Sequence, residues 1–445
     1  MNNNMLEGSS VRAIIKFAIP LLLGNVFQQI YSFVDTVLVG KYIGMDALAA
    51  VGASGNAVAL IVLFLMGFTT GASILISQEY GAGNKEGICR TASALYKIIL
   101  FSTIILGAAG IIASRSILVL LHTPKNILND ATMYLKTVFL GVPFVALYNA
   151  GASVARSMGR SVMPLVVLVI SSLLNVIFDI VFITALNMGV LGAAYATVLS
   201  QVISALICNI FIYMKRYEYN LDGFDFLNAG TEDIKRIVRI GIPMSFQSSV
   251  ITIGSICIQG LINSFGTVVV AAYTAASKID LIAIQVIVSI GTAMSVFAGQ
   301  NIGAGNIERI KTAVKKILII QLGVCKIIAL ILVLYRESLL RLFLDTGAEE
   351  AVLIGSRYIT IVGIAYISAG IMQTYLNVLK GAGDIDFSIY VGIAEVSIRI
   401  VMAYALSKIL SSETGIWIAT PVAWIIACIY TVFRYRSGKW VCKTI

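Results

Sequence analysis

The sequence predicts an all-α integral membrane protein, with twelve transmembrane helices forming two parallel six-helix repeats, an N-lobe and a C-lobe, around a central cavity. Three observations carry this reading. Of the 445 residues, 59% are hydrophobic and only 12% are charged, whereas a soluble domain is about 25% charged. Apolar runs of about 20 residues, the length a helix needs to cross a bilayer, recur from residue 17 to residue 433. These runs lack the period-two alternation of a membrane barrel, so each must satisfy its backbone polar groups internally, as a helix.

The expected spans are 17–39, 47–76, 92–113, 131–152, 163–185, 190–213, 243–264, 270–298, 317–335, 355–378, 387–409 and 415–433. The opening MNNNMLEGSSVR is polar and lacks the charged, apolar and small-residue regions of a secretory signal, so the chain is expected to begin in the cytoplasm. Among the provisional loops, 20 Lys and Arg fall on one side and 6 on the other. That asymmetry follows the positive-inside rule with both termini cytoplasmic. The formal net charge of +10 is thus a topology signal, and no nucleic-acid partner is expected.

The longest polar connection, 215–239, separates an N-terminal bundle (1–214) from a C-terminal bundle (240–445). At its end, Thr231, Glu232 and Asp233 precede Ile234, Ile237 and Val238, the pattern of a capped amphipathic helix on the cytoplasmic surface. The two bundles are copies of one another. Ile19-Pro20 falls on Ile242-Pro243 at an offset of 223, Gln78 on Gln300 at 222, and Tyr134 and Gly159 on Tyr358 and Gly383 at 224. An even number of spans per half makes the repeats parallel, related by an axis along the membrane normal.

GAGN at 81–84 and 303–306 lacks the Lys-Ser/Thr and strand context of a phosphate-binding loop, so it reads as a tight turn between helices. The segments 156–159 and 380–383 are the matching later turns. Pro20 and Pro243 occupy equivalent places; each is either a hinge inside a helix or a residue of its first turn.

Enzymatic chemistry finds little material. The six cysteines (Cys89, Cys208, Cys257, Cys325, Cys428, Cys442) are scattered singly and read as small core residues. His122 is the sole histidine, in a short loop, and no HExxH, Ser/His pair or GxGD aspartate pair is present. The chain is not expected to be an enzyme.

The informative polar residues lie inside the spans. Gly24, Gln28, Tyr31 and Asp35 recur at steps of four, three and four, a polar stripe on an apolar helix. A carboxylate at membrane depth costs roughly 3 kcal/mol even on lenient insertion scales, which makes Asp35 a functional-site candidate. Asn175 and Asp179 share one face of the fifth span, and Thr197 and Gln201 one face of the sixth. Together these supply carboxylate, amide and hydroxyl oxygens suited to a hard cation such as sodium. Two carboxylates in one dry site also make a proton acceptor. Carried into the second half, Asp35 lands on Ile258, Asn175 on Arg399, Asp179 on Ala403 and Thr197 on Thr420. Scaffold demanded by the bundle would appear in both copies, so the first half holds a specialised cation site. The second half has its own intramembrane charges, Lys278, Asp280, Glu395 and Arg399, with Glu395 and Arg399 placed to pair at i,i+4.

The opening IPLLLGNVFQQIYSFVDTVLVGKYIG, the phrase AAYTAASKID, and GQNIGAGN, LKGAGD and LLNVIFD resemble the multidrug and toxic compound extrusion (MATE) family over essentially the whole chain. Within the family the resemblance is to the bacterial DinF-like or MepA-like branch. It implies a secondary antiporter of the bacterial inner membrane that exports organic cations or amphiphilic drugs against inward H+ or Na+, by alternating access. The coupling ion is then the only cofactor, lipid and drug-like small molecules the partners, and the monomer the working unit. The family's cation site carries over onto Asp35, Asn175, Asp179 and Thr197. Gln28, Tyr31, Gln201, Lys278, Glu395 and Arg399 become cavity-lining candidates, and Pro20 the hinge of the first helix. The sodium-dependent branch places acids in the seventh and tenth spans; here stand Gln247, Gln259, Gln373 and Asn377, which argues against a C-lobe cation site. The alternative, a lipid-linked precursor flippase, requires a strongly cationic cavity, and only Lys278 and Arg399 could supply one.

Overall fold

The computed structural model describes residues 5–121, 123–225, 229–344 and 347–441; His122, Cys442 and Lys443 lie outside the described residues. No strand occurs among the described residues. The helices are α1 (Ser10–Tyr42), α2 (Met45–Gly81), α3 (Lys85–Leu120), α4 (Leu128–Ser157), α5 (Val162–Ile180, closing in a π-turn over Val181–Ala185), α6 (Gly189–Met214) and α7 (Thr231–Asn263). They continue as α8 (Thr267–Gly303), α9 (Ile307–Leu334), the short α10 (Arg336–Leu340), α11 (Glu349–Gly381), α12 (Ile385–Leu410) and α13 (Thr414–Arg436). Twelve of these are long and apolar enough to cross a membrane, so the chain is a multi-pass membrane protein.

Most helices outrun the expected spans, because hydropathy marks only the stretch at hydrocarbon depth and helices continue into the polar zone. The expected surface helix is one such extension. Thr231 opens α7 itself, with Glu232 and Asp233 in its first turn, and Ile237 is fully buried. Acids at a helix start suit the dipole whether or not the helix goes on to span the bilayer.

The chain forms two compact units, Ile19–Ser248 and Met1–Ala18 with Ser249–Ile445. The cuts fall inside α1 and α7 rather than at the expected boundaries of 1–214, 215–239 and 240–445. Side-chain contacts explain both. The start of the chain docks within its own unit: Asn301 donates to the Met5 carbonyl, and Arg309 donates to those of Met5, Glu7 and Gly8 at 2.9–3.3 Å. In the other unit the first half of α7 packs on α2 so closely that a Cβ at Gly241 would lie 3.0 Å from the Phe68 Cα. Arg90 pairs with Asp233 at 3.8 Å and Arg236 with Glu79 at 3.7 Å, fastening the same helix.

Each unit is built around its fourth span. In the Ile19–Ser248 unit α4 packs against α2, α3 and α6; in the other, α11 packs against α8, α9 and α13. The most apolar stretch of each central helix is 61% buried, the highest share among the spans. The expected turns repeat in conformation as well as sequence: Gly83, Gly159, Gly305 and Gly383 all adopt φ between 70° and 92°, a left-handed backbone that glycine alone adopts without strain. Among the described cysteines, Cys89, Cys208 and Cys325 are buried, Cys257 and Cys428 half-buried, and all are free thiols.

Candidate cation site

Gln28, Tyr31 and Asp35 ride on α1, Asn175 and Asp179 on α5, and Thr197 and Gln201 on α6, all inside the Ile19–Ser248 unit. Gln28 is exposed, and Tyr31, Asp35, Thr197 and Gln201 are half-buried. Asp179 is fully buried and Asn175 is 2% exposed. The Asp35 and Asp179 carboxyls lie within hydrogen-bonding reach of one another. No Lys or Arg pairs with either among the described residues.

The decisive feature is a set of buried polar atoms with no hydrogen-bond partner in the protein: Asp35 Oδ1, both oxygens of Asp179, both amide atoms of Asn175, and Gln201 Oε1. Buried polar groups are paired in more than nine cases of ten, so such a cluster calls for a ligand. Two facing carboxyls are both acceptors and can bond only with a proton between them. The same oxygens, with the Asn175 carbonyl, suit a hard monovalent cation.

A cavity of about 120 Å³ adjoins them, lined by Gln28, Tyr31, Asn175, Thr197 and Gln201 among others. Drug-sized ligands occupy roughly 300–1,000 Å³. This chamber has room for a small ion and water beside Asn175, Thr197 and Gln201. Its hydroxyls are held by their own helices: Thr197 donates to the Ala193 carbonyl at 2.9 Å, Ser200 to that of Thr197 at 2.8 Å and Ser204 to that of Gln201 at 2.9 Å. With its proton committed to a carbonyl, each hydroxyl can offer only lone pairs to the cavity.

Several lining residues escaped the sequence reading. Ser171, Ser172, Ser200 and Ser204 continue the polar faces of α5 and α6, a periodicity that was present in the sequence. Tyr134 of α4 gave no such signal. Its ring packs with Val39, Val138, Ile183 and Val190 as an apolar wall beside the site.

The remaining candidates are not part of this site. Lys278, Glu395 and Arg399 belong to the other unit. Glu395 and Arg399 approach each other at 3.6 Å, as their spacing predicts, and Lys278 is exposed and joins no ion pair among the described residues. Asp280 instead accepts hydrogen bonds from Tyr366 and, at 3.3 Å, Tyr358. Where the first half carries Asp35 and Asp179, the second packs Ile258 and Ala403 into its apolar core.

Pro20 is the eleventh residue of α1, well past the first turn, so its reading as a helix start is withdrawn; Pro243 is likewise interior to α7. The helix is continuous through Pro20 even though proline removes one backbone hydrogen bond.

A family model described as MatE matches residues 20–181 and again 243–405, the two halves in register at the repeat offset. The chain is 26% identical over 442 residues to the probable multidrug resistance protein YoeA of Bacillus subtilis, covering 98% of this chain and 95% of that one. It is 28% identical over 438 residues to the probable multidrug resistance protein YpnP of the same organism, covering 98% and 96%. Its fold matches that of a MOP superfamily transporter from Pyrococcus furiosus with a TM-score of 0.90, at 23% identity over 100% of this chain and 99% of that one.

Proposed function

The chain belongs to the MatE family, and from that premise we propose that it is a bacterial inner-membrane antiporter exporting drug-like organic cations or amphiphiles against inward protons or sodium. The observation that carries this reading is the pair of half-buried Asp35 and buried Asp179, whose oxygens lack hydrogen-bond partners and which no Lys or Arg pairs with among the described residues. Relatives described as probable multidrug resistance proteins support the substrate class.

In this reading Asp35, Asp179 and the Asn175 carbonyl hold the incoming cation, and Thr197, whose hydroxyl proton is committed to the Ala193 carbonyl, completes the shell. Loading the site removes one negative charge from the α1–α5 contact and lets α1 change shape about Pro20, which drives alternating access. Each positive charge moving inward supplies about 2.3 kcal/mol per 100 mV of membrane potential, which drives uphill export of a neutral drug; a singly charged drug moving outward spends the same amount, so its export draws on the concentration gradient of the coupling ion. The 120 Å³ chamber has room for the coupling ion. Both termini are placed in the cytoplasm, and the monomer is taken as the working unit. A flippase for a lipid-linked pyrophosphate is disfavoured, because Arg399 is already engaged by Glu395.

The test is efflux of a fluorescent organic cation from proteoliposomes under an imposed pH gradient, with and without a sodium gradient. Efflux driven by either gradient supports antiport and identifies the ion. Efflux indifferent to both gradients rules antiport out.

A further inference from the structure

A second cavity, about 530 Å³, lies in the Ile19–Ser248 unit where α6 runs into the connection that follows it. It falls in the size range of small-molecule sites. Phe144 and Leu147 of α4, Leu206 and Ile210 of α6, and Leu221 and Phe224 of the connection form apolar walls. Leu206 and Ile210 are exposed, so the cavity is open to the lipid that must cover them. Its interior polar groups are already satisfied: Tyr96 donates to Asn209 Oδ1, and Asn209 donates to the carbonyls of Ala205 and Leu147. What remains inside is a surface for hydrocarbon.

The lining also carries one cation and one anion, Arg216 and Asp222. The Arg216 guanidinium lies over the rings of Tyr213 at 4.4 Å and Tyr217 at 4.7 Å, and donates to the Tyr213 carbonyl and the Tyr217 hydroxyl. These contacts fix its plane without neutralising it. The neighbouring Lys215 and Arg160 are both taken by Glu218, at 3.2 and 2.9 Å, whereas neither Arg216 nor Asp222 forms an ion pair among the described residues. An oriented cation and an exposed anion, with no ion pair between them among the described residues, on the rim of an apolar pocket complement a zwitterion with a hydrocarbon tail. We propose that this cavity binds one acyl chain of a phospholipid with a primary-ammonium headgroup, its phosphate at Arg216 and its ammonium at Asp222. The shared chemistry follows basic pockets between membrane helices, which take lipid phosphates. The carboxylate adds selectivity for N–H donors.

This site is separate from the cation site and does not depend on the antiport reading. The test is native mass spectrometry of the full-length protein, exchanged in detergent into an equimolar mixture of phosphatidylethanolamine and phosphatidylglycerol. The wild type should retain the ethanolamine lipid preferentially. Arg216→Ala should lower retention of both lipids about tenfold, the loss of one charge-assisted hydrogen bond. Asp222→Asn should keep retention but abolish the preference. Both side chains are at least partly exposed, so the fold should tolerate either change. Equal retention of the two lipids by the wild type would overturn the proposal, as would a preference that survives both substitutions.

Discussion

Asp35 on α1 and Asp179 on α5 face each other within hydrogen-bonding reach, and among the described residues neither forms an ion pair with a Lys or Arg. An isolated acid of this kind is worth keeping only if its charge is used. Asp35→Asn and Asp179→Asn should each reduce gradient-driven efflux to that of protein-free vesicles, while the protein still inserts and elutes as the wild type does. Wild-type efflux in both variants would remove the pair from the coupling mechanism.

Gly141 on α4 touches the same site from behind. A methyl group placed there would overlap Gln201 Oε1 and come within 3.0 Å of Val198. Gly141→Ala should push the Gln201 amide into the cation chamber and weaken transport beyond its stability cost of about 1–3 kcal/mol. Gly110→Ala, which would crowd only the Phe139 ring at 2.9–3.0 Å, is the matched control. Comparable thermal destabilisation with loss of efflux in Gly141→Ala alone is the expected outcome. Equal efflux in the two variants would sink it.

The spans, the repeat and the oxygen set were legible because each rests on local periodicity: apolar runs of fixed length, or polar residues four apart on one face. Asn175 with Asp179 and Thr197 with Gln201 needed no tertiary information. Tyr134 was invisible, since a lone tyrosine in an apolar helix has no period, and only the packing of α4 on α6 brings it beside the site. The compact units divide the chain at other points than the polar connection for a related reason. The connection 215–239 is the most polar stretch, but polarity does not record that Met5–Gly8 is held by Asn301 and Arg309, nor that α7 begins on α2.

Arg434 of α13 clamps Asp384, at the start of α12, with two hydrogen bonds of 2.6 and 3.0 Å. Asp384 is fully buried, so removing Arg434 takes away the cation that compensates its carboxylate in low dielectric. Arg434→Met should destabilise the protein by about 3–5 kcal/mol, measured as a fall in the thermal midpoint in detergent. Arg434→Lys should recover part of the loss, because an ammonium restores charge but not the two-pronged geometry. A midpoint unchanged in Arg434→Met would show the clamp to be redundant.

Glu218 lies in the connection after α6, where hydrogen bonding from Lys215, with Arg160 close by, holds its carboxyl below the usual carboxylate range. A depressed value in the folded state means that the stabilisation is present above the unfolded value, about 4.3, and is lost as pH falls through the folded one. Glu218→Gln should therefore lower the thermal midpoint slightly at neutral pH, with the difference from wild type vanishing in acid. A gap that widens on acidification would contradict this sign.

Pro20 removes the hydrogen bond that residue 20 would otherwise give to the Lys16 carbonyl, at a place where α1 is nonetheless continuous. The substitution Pro20→Ala restores that bond and makes the straight helix more favourable by as much as about 3 kcal/mol. If bending at Pro20 links cation loading to export, the variant should bind the coupling ion normally but transport slowly. Binding is read as the shift in thermal midpoint on adding sodium or changing pH, an effect that should disappear in Asp35→Asn. Transport is read as initial efflux rate from vesicles. A Pro20→Ala protein with normal rates would leave Asp35 and Asp179 as the coupling pair and move the hinge elsewhere, whereas loss of the ion-dependent shift would mean that Pro20 shapes the site itself.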